Sequence, residues 1–209
     1  MDDINKRDSL LEIGKRRKTD KVEHGYLDAY EYYFRSVRDM PVNILEIGVR
    51  YGNYIWTWHD YFKNGNIFGM DILNNAGYYK ELYGTFMCPD GKRRVMWHHE
   101  STGELVKFSQ LPKNQQEELN KKNIELIKKK LPTDRFKLFI GDQSNLSDLQ
   151  EVVDGCKEGY DIIIDDGSHA AADQQVTLDV LFKHVKPGGM YIIEDVMMGT
   201  TRDDDPRAE

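Results

Sequence analysis

The chain lacks most of what would tie it to a membrane, to nucleic acid or to an oxidising compartment. It has two cysteines in 209 residues, Cys88 and Cys156, without Cys-x-x-Cys spacing. A reduced, cytoplasmic protein is expected. No apolar stretch is long enough to cross a bilayer, and the acidic opening Met1-Asp2-Asp3 carries no signal-peptide pattern. A net charge of −7 offers no basic footprint for phosphates, which argues against nucleic acid as a partner. No internal repeat is present, and the dinucleotide fingerprint Gly-x-Gly-x-x-Gly is missing.

What is present is enough apolar sequence for one core: 39% hydrophobic residues beside 31% charged ones. The chain reads as an N-terminal arm and helix over 1–40, then one domain over 41–209. The most informative stretch is Asp161-Ile162-Ile163-Ile164-Asp165-Asp166-Gly167-Ser168-His169. Its apolar run does not alternate, as expected of a strand buried on both faces. Met190-Tyr191-Ile192-Ile193-Glu194-Asp195 repeats the pattern, a buried strand ending in adjacent acids. Ala170 to Val185 between them is long enough for a helix, with Leu178, Leu181, Phe182 and Val185 on one face and Pro187-Gly188-Gly189 as its stop. Strand, helix and strand at this spacing form a right-handed βαβ unit.

Asp166, His169, Glu194 and Asp195 then converge on one rim of the sheet. Carboxylates ~4 Å apart repel by about 4 kcal/mol per pair at an effective dielectric of about 20. A cation or a shared proton must offset this. Oxygen ligands without cysteine favour Mg²⁺ or Ca²⁺ over zinc. Equally, one acid could cap the next helix while the others face water.

Earlier in the chain, residues 1–21 are polar and read as a solvated arm with a basic patch at Lys15-Arg16-Arg17-Lys18. Tyr26, Tyr30, Tyr33, Phe34 and Val37 recur at helical spacing, and Pro41 closes that helix. Val42 to Gly48 is the first strand. Glu46-Ile47-Gly48-Val49-Arg50-Tyr51-Gly52 leads into a helix from Tyr54 to Phe62. Glycines in such a turn let backbone approach a ligand at a helix N-terminus. Asn66 to Asp71 is a second strand whose terminal acid suits ribose hydroxyls. Residues 73–134 exceed any plain connection and read as an insertion, with a polar helix from Asn114 to Lys130 and surface histidines at His98 and His99. Phe136 to Ser144 resumes the sheet, placing Asp142 and Gln143 on the same rim, suited to an exocyclic amine. Ser147-x-x-Gln150 fits a capping box. The tail from Thr200 to Pro206 reads as disordered. The expected architecture is α/β: a Rossmann-like, doubly wound, mostly parallel sheet with flanking helices.

These residues resemble the class I S-adenosylmethionine-dependent methyltransferases. Asp166-Gly167-Ser168-His169 with Glu194-Asp195, and Thr19-Asp20-Lys21 with His24-Gly25-Tyr26, narrow the resemblance to the metal-dependent sugar O-methyltransferases of the mycinamicin and macrocin type, and to the related cephalosporin hydroxylase-like group. The resemblance implies that Glu46, Gly48 and Gly52 hold the methionine part of the cofactor and that Asp71 takes the ribose. It implies that Asp142 and Gln143 meet the adenine, with Asp165 also in the cofactor site. Asp166, Glu194 and Asp195 would hold Mg²⁺, and His169 would be the general base. The implied acceptor is a hydroxylated small molecule, a sugar or glycosylated natural product, with a catechol as the alternative. A non-catalytic nucleoside-binding or assembly protein that kept the fold is the rival reading. Family members usually continue with further strands after Glu194-Asp195. A sheet shortened at its C-terminal side, one completed by another copy in a homo-oligomer, or a truncated chain would each account for the difference.

Overall fold

A computed structural model describes residues 7–50, 52–72, 83–87, 93–98, 101–102, 104–106, 110–130 and 133–196. Five parallel strands form the main sheet: β1 (Asn43–Ile47), β2 (Asn66–Asp71), β6 (Phe136–Ile140), β7 (Tyr160–Asp165) and β8 (Val185–Ile193). Their spatial order is β6-β2-β1-β7-β8. The chain steps outward from β1 on one side, then crosses to β7 and steps outward on the other. That reversal opens a crevice at the carboxyl ends of β1 and β7.

Strand alternation divides the core in two. Ile44, Ile162 and Ile164 face one side and pack with α1 (Leu10–Arg17), α2 (Tyr26–Phe34) and α3 (Asn53–Tyr61) through Leu10, Phe34, Trp58 and Phe62. Leu45, Ile47 and Ile163 face the other and pack with α5 (Leu146–Gly155) and α6 (Ala171–Leu181) through Leu149, Val152 and Leu181. Each such side chain contributes roughly 1.5–3 kcal/mol by leaving water. In register, Ile47 pairs with both Met70 and Asp165, and Asp165 pairs with Ile193. These four strands therefore end within one residue of level, and the residues after them share one rim.

Part of the 73–134 stretch is ordered structure in its own right. β3 (Tyr83–Met87), β4 (Arg93–His98) and β5 (Leu105–Val106) form a separate antiparallel sheet. Helix α4 (Lys113–Lys130) lays Ile124 against the first core. The side chain of His98, all of His99 and the 200–206 tail lie outside the described residues.

Several local expectations are corrected. The stretch around the basic patch is no solvated arm: α1 is closed by a Ser9–Glu12 capping box and buries Leu10 and Ile13 fully in the core. Arg16 and Arg17 of the patch pair with Asp60. Helix α2 stops at Phe34, well before Pro41, and Tyr33 of its aromatic stripe is exposed. Asn145, not Ser147, caps α5, accepting from the Ser147 N–H. Helix α6 ends at Leu181, and its buried face is Asp173, Gln174, Thr177 and Leu181, while Phe182 is exposed. That face is mixed: Leu181 packs into the second core, while Asp173, Gln174 and Thr177 bond to groups of the polar rim. Pro187-Gly188-Gly189 lies inside β8 instead of before it, where the register jumps from Tyr160–Val185 to Ile162–Met190.

Candidate active site

The rim is built first by backbone geometry. The β1–α3 turn needs left-handed backbone at Gly48 (φ 89°) and Gly52 (φ 79°). A Cβ on Gly48 would sit 2.0 Å from the Asp166 carbonyl oxygen, so the β1 and β7 turns touch only because this residue is glycine. Among the described residues, no side chain caps the N-terminus of α3. Non-glycine residues with positive φ include Arg50, His169 and Asp195, each at a strand's carboxyl end. Strain of this kind concentrates at functional sites.

Asp71 closes the same turn. Its Oδ2 accepts from the Arg50 N–H at 2.7 Å. A cavity of about 200 Å³ beside the turn is lined by Lys18, Asp20, Arg50, Asn53 and Tyr54. Asp142 makes a local turn, its Oδ1 accepting from the Ser144 N–H and hydroxyl at 2.8 and 2.7 Å. Gln143 turns inward. Its amide donates to Asp165 Oδ1 and Thr177 Oγ1, both at 3.1 Å, and its oxygen accepts from the Ser168 N–H at 2.6 Å. Asp165 is fully buried, and burial pushes its carboxyl up to about 7.

The remaining acids gather round a lysine. Lys21, 1% exposed, donates to Glu194 Oε1 at 2.5 Å and to Asp166 Oδ2 at 2.6 Å. Its Nζ also lies 3.3 Å from Glu46 Oε1, a buried oxygen that has no hydrogen-bond partner among the described residues. The other oxygen of Glu46 accepts from Trp58 Nε1 at 2.8 Å. Burial raises Glu46 to about 8 and raises Glu194 as well, against the pull of Lys21. Burial alone would lower Lys21, but the carboxylates of Glu46, Asp166 and Glu194 outweigh it and lift the ammonium above the usual lysine range.

Helix α2 completes the cluster from one face. Tyr30 donates to Glu194, and Tyr26, one turn earlier, donates to Asp195 Oδ1 at 2.7 Å. That bond pushes the Tyr26 hydroxyl up to about 12. His169 Nε2 stands 3.9 Å from Asp166 Oδ1.

Of the residues singled out in the sequence, Glu46, Asp166, Glu194 and His169 come together, and Gln143 and Asp165 form a supporting pair behind them. Asp195 lies at the edge, held by Tyr26. Among the described residues, no group of three or more His, Cys, Asp or Glu side chains is arranged to hold a metal ion. The centre of the acids is taken by Lys21. In the sequence, Lys21 stands only in a segment that carries the resemblance, Tyr30 only in a helical stripe and Tyr26 in both, and none of Lys21, Tyr26, Tyr30, Trp58 or Thr177 is given a role in the site. The need for a cation among the acids was the signal for Lys21. Nothing in the periodicity of α2 separates a tyrosine that bonds an acid from one that only packs.

No family model matches the chain. It is 27% identical over 197 residues to the 8-demethyl-8-(2-methoxy-alpha-L-rhamnosyl)-tetracenomycin-C 3'-O-methyltransferase of Streptomyces olivaceus, covering 90% of this chain and 36% of that one. To the mycinamicin VI 2''-O-methyltransferase of Micromonospora griseorubida it is 26% identical, covering 92% of this chain and 37% of that one. The solved MycE methyltransferase of the mycinamycin pathway, in complex with Mg, SAH and mycinamycin VI, superposes with a TM-score of 0.57 at 26% identity, over 91% of this chain and 38% of that one. The chain thus spans little more than a third of the length of these relatives. With the sheet order and rim described above, the chain carries the Rossmann-like fold of the class I S-adenosylmethionine-dependent methyltransferases and resembles the sugar O-methyltransferases of macrolide and tetracenomycin pathways.

Proposed function

We propose that the chain forms the methyl-transfer unit of an S-adenosylmethionine-dependent, Mg²⁺-assisted O-methyltransferase. Its acceptor is a hydroxylated small molecule, a sugar or glycosylated natural product. The observation that carries this reading is the convergence of Glu46, Asp166 and Glu194 on one buried point at the sheet's crevice, with His169 beside Asp166. The relatives named above are sugar O-methyltransferases, and the solved one holds Mg and SAH.

The donor types suit both groups, while the point between the acids is held by Lys21 and the described carboxylates are not themselves arranged round an ion. Three carboxylates face one ammonium, which leaves an excess of negative charge when all are ionised. Oxygen donors and excess negative charge suit a hard divalent cation. Asp166, Glu194 and Asp195 would hold it. Bound there, the ion would supply Lewis-acid polarisation of the acceptor hydroxyl. For the cofactor, the Gly48–Gly52 turn and the uncapped start of α3 offer backbone N–H groups to the methionine end. Asp71, at the end of β2, takes the ribose. Of the Asp142–Gln143 pair we assign the adenine contact to Asp142, because the Gln143 amide is engaged within the protein.

In the reaction, His169 takes the hydroxyl proton as the acceptor oxygen attacks the methyl carbon. The new O–C bond forms as the S–C bond breaks, and the demethylated cofactor leaves. Imidazole is matched to this task near neutral pH. The rest is alignment, for which the rim ends of β1, β7 and β8 provide a fixed frame. The test is calorimetric titration of cofactor and its demethylated product, with Mg²⁺ and with chelator, followed by transfer assays on sugar and catechol panels. Micromolar cofactor binding and Mg²⁺ binding that is lost in Asp166→Ala are expected. Full turnover by both Asp166→Ala and His169→Ala on a true acceptor would sink the reading.

A further inference from the structure

Lys21 is a fully buried cation that the proposed chemistry leaves unused. It comes from the short turn between α1 and α2, far in sequence from the acids it meets. Among the described residues, every lysine or arginine ion pair of Glu46, Asp166 and Glu194 runs to this one side chain. It uses a single oxygen of each: Oε1 of Glu46, Oδ2 of Asp166 and Oε1 of Glu194. The aliphatic stem is enclosed as well, and the ammonium lies 4.3 Å over the ring of Tyr54.

We infer that Lys21 is the resident counter-ion of the acid cluster and the positioning residue for its carboxylates. It holds Asp166 beside Glu194 whether or not a divalent ion is present, so the ion enters a site already shaped. The physical ground is the asymmetry of buried charge. Three carboxylates brought within reach of one point repel one another, and without a cation they must take up protons or separate. Tyr30 and Trp58 donate hydrogen bonds to the cluster but bring no positive charge. The counter-ion role stands on this geometry, and its link to metal binding rests on the function proposed above.

The test compares melting of wild type, Lys21→Met and Lys21→Met/Glu194→Gln, each with chelator and with millimolar Mg²⁺. In chelator, Lys21→Met is expected to melt about 5–15 °C below wild type. The double variant removes one carboxylate charge and is expected to regain at least half of that loss. A side chain that mattered only for packing would leave the double variant no better than the single one. That result, or a single variant melting within about 2 °C of wild type, overturns the inference. Should Lys21→Met fail to fold in chelator, the double variant decides: a folded double variant supports the role, and an unfolded one overturns it. Mg²⁺ is expected to restore Lys21→Met, by binding the state it stabilises. If the double variant recovers while Mg²⁺ neither binds wild type nor restores the single variant, the counter-ion role stands and the metal assignment falls.

Discussion

The side-chain amide of Gln143 donates to Asp165 Oδ1 at 3.1 Å, tying the end of β6 to the end of β7. The same amide reaches Thr177 on α6, and its oxygen holds the Ser168 N–H next to His169. Gln143 is thus a strut beneath the turn that carries the proposed base. Space there is tight: a Cβ on Gly167 would meet Gln143 Oε1 at 1.7 Å. Gln143→Ala should cost about 1–3 kcal/mol, because Thr177 and the Ser168 N–H lose buried partners. Chemical denaturation with an unchanged m-value checks this. A variant as stable as wild type would show that the strut is dispensable.

Gly48 offers a sharper test, because a control residue separates two costs. Gly25 also has positive φ, at 74°, yet among the described residues nothing lies within 4 Å of its notional Cβ. Gly25→Ala should cost only the conformational penalty, roughly 1 kcal/mol. Gly48→Ala adds a clash with the Asp166 backbone at 2.0 Å and must push two turns apart. A loss clearly above that of Gly25→Ala, with cofactor affinity weakened about tenfold or more, is expected from melting and titration. Equal losses would mean that the two turns separate easily.

Asp71 joins local structure to the proposed ribose contact. Its Oδ2 accepts from the N–H of Arg50, whose φ is 48°. Asp71→Asn keeps the size but replaces a charged acceptor with an amide. A stability loss of about 1–2 kcal/mol and at least a tenfold weaker affinity for the demethylated cofactor are expected. Titration calorimetry reads the affinity. Unchanged affinity would remove Asp71 from the cofactor site.

The frame of the molecule was legible because it rests on short-range pattern. Short β-branched runs closed by polar residues, such as Ile162-Ile163-Ile164 before Asp165-Asp166, favour interior strands, and β2 has the bounds its composition implied. The strand-end positions of Glu46, Asp71, Asp166 and Glu194 follow directly from those strands. What pattern could not convey is where polar side chains point in three dimensions. Of the apolar stripe expected on α6, Leu181 and Val185 pack in the core and Phe182 does not, while Asp173, Gln174 and Thr177 turn to the rim, where Ser168 donates to Asp173 and Gln143 to Thr177. The stretch around Lys15-Arg16-Arg17-Lys18 looks solvated, yet Leu10 and Ile13 anchor it and so deliver Lys21 to the acids. Long-range pairing of that kind leaves no periodic trace.

His59 makes stability depend on pH away from the proposed site. It lies on α3 with its Nδ1 buried and 3.6 Å from Asp60 Oδ1. Burial, then the nearby Arg135 and Lys63, lower its pKa below the ordinary histidine value, and Asp60 offsets this only in part. Protonation therefore favours the unfolded chain, which binds the proton more readily. The contribution of this group is complete above the unfolded value of about 6.5 and is lost as pH falls through the lower folded value. In His59→Gln the titrating group is gone. The fall in melting temperature between pH 7 and pH 5 should be smaller in this variant than in wild type. Identical pH profiles would assign that fall to other groups, and a steeper fall in the variant would reverse the sign of the argument.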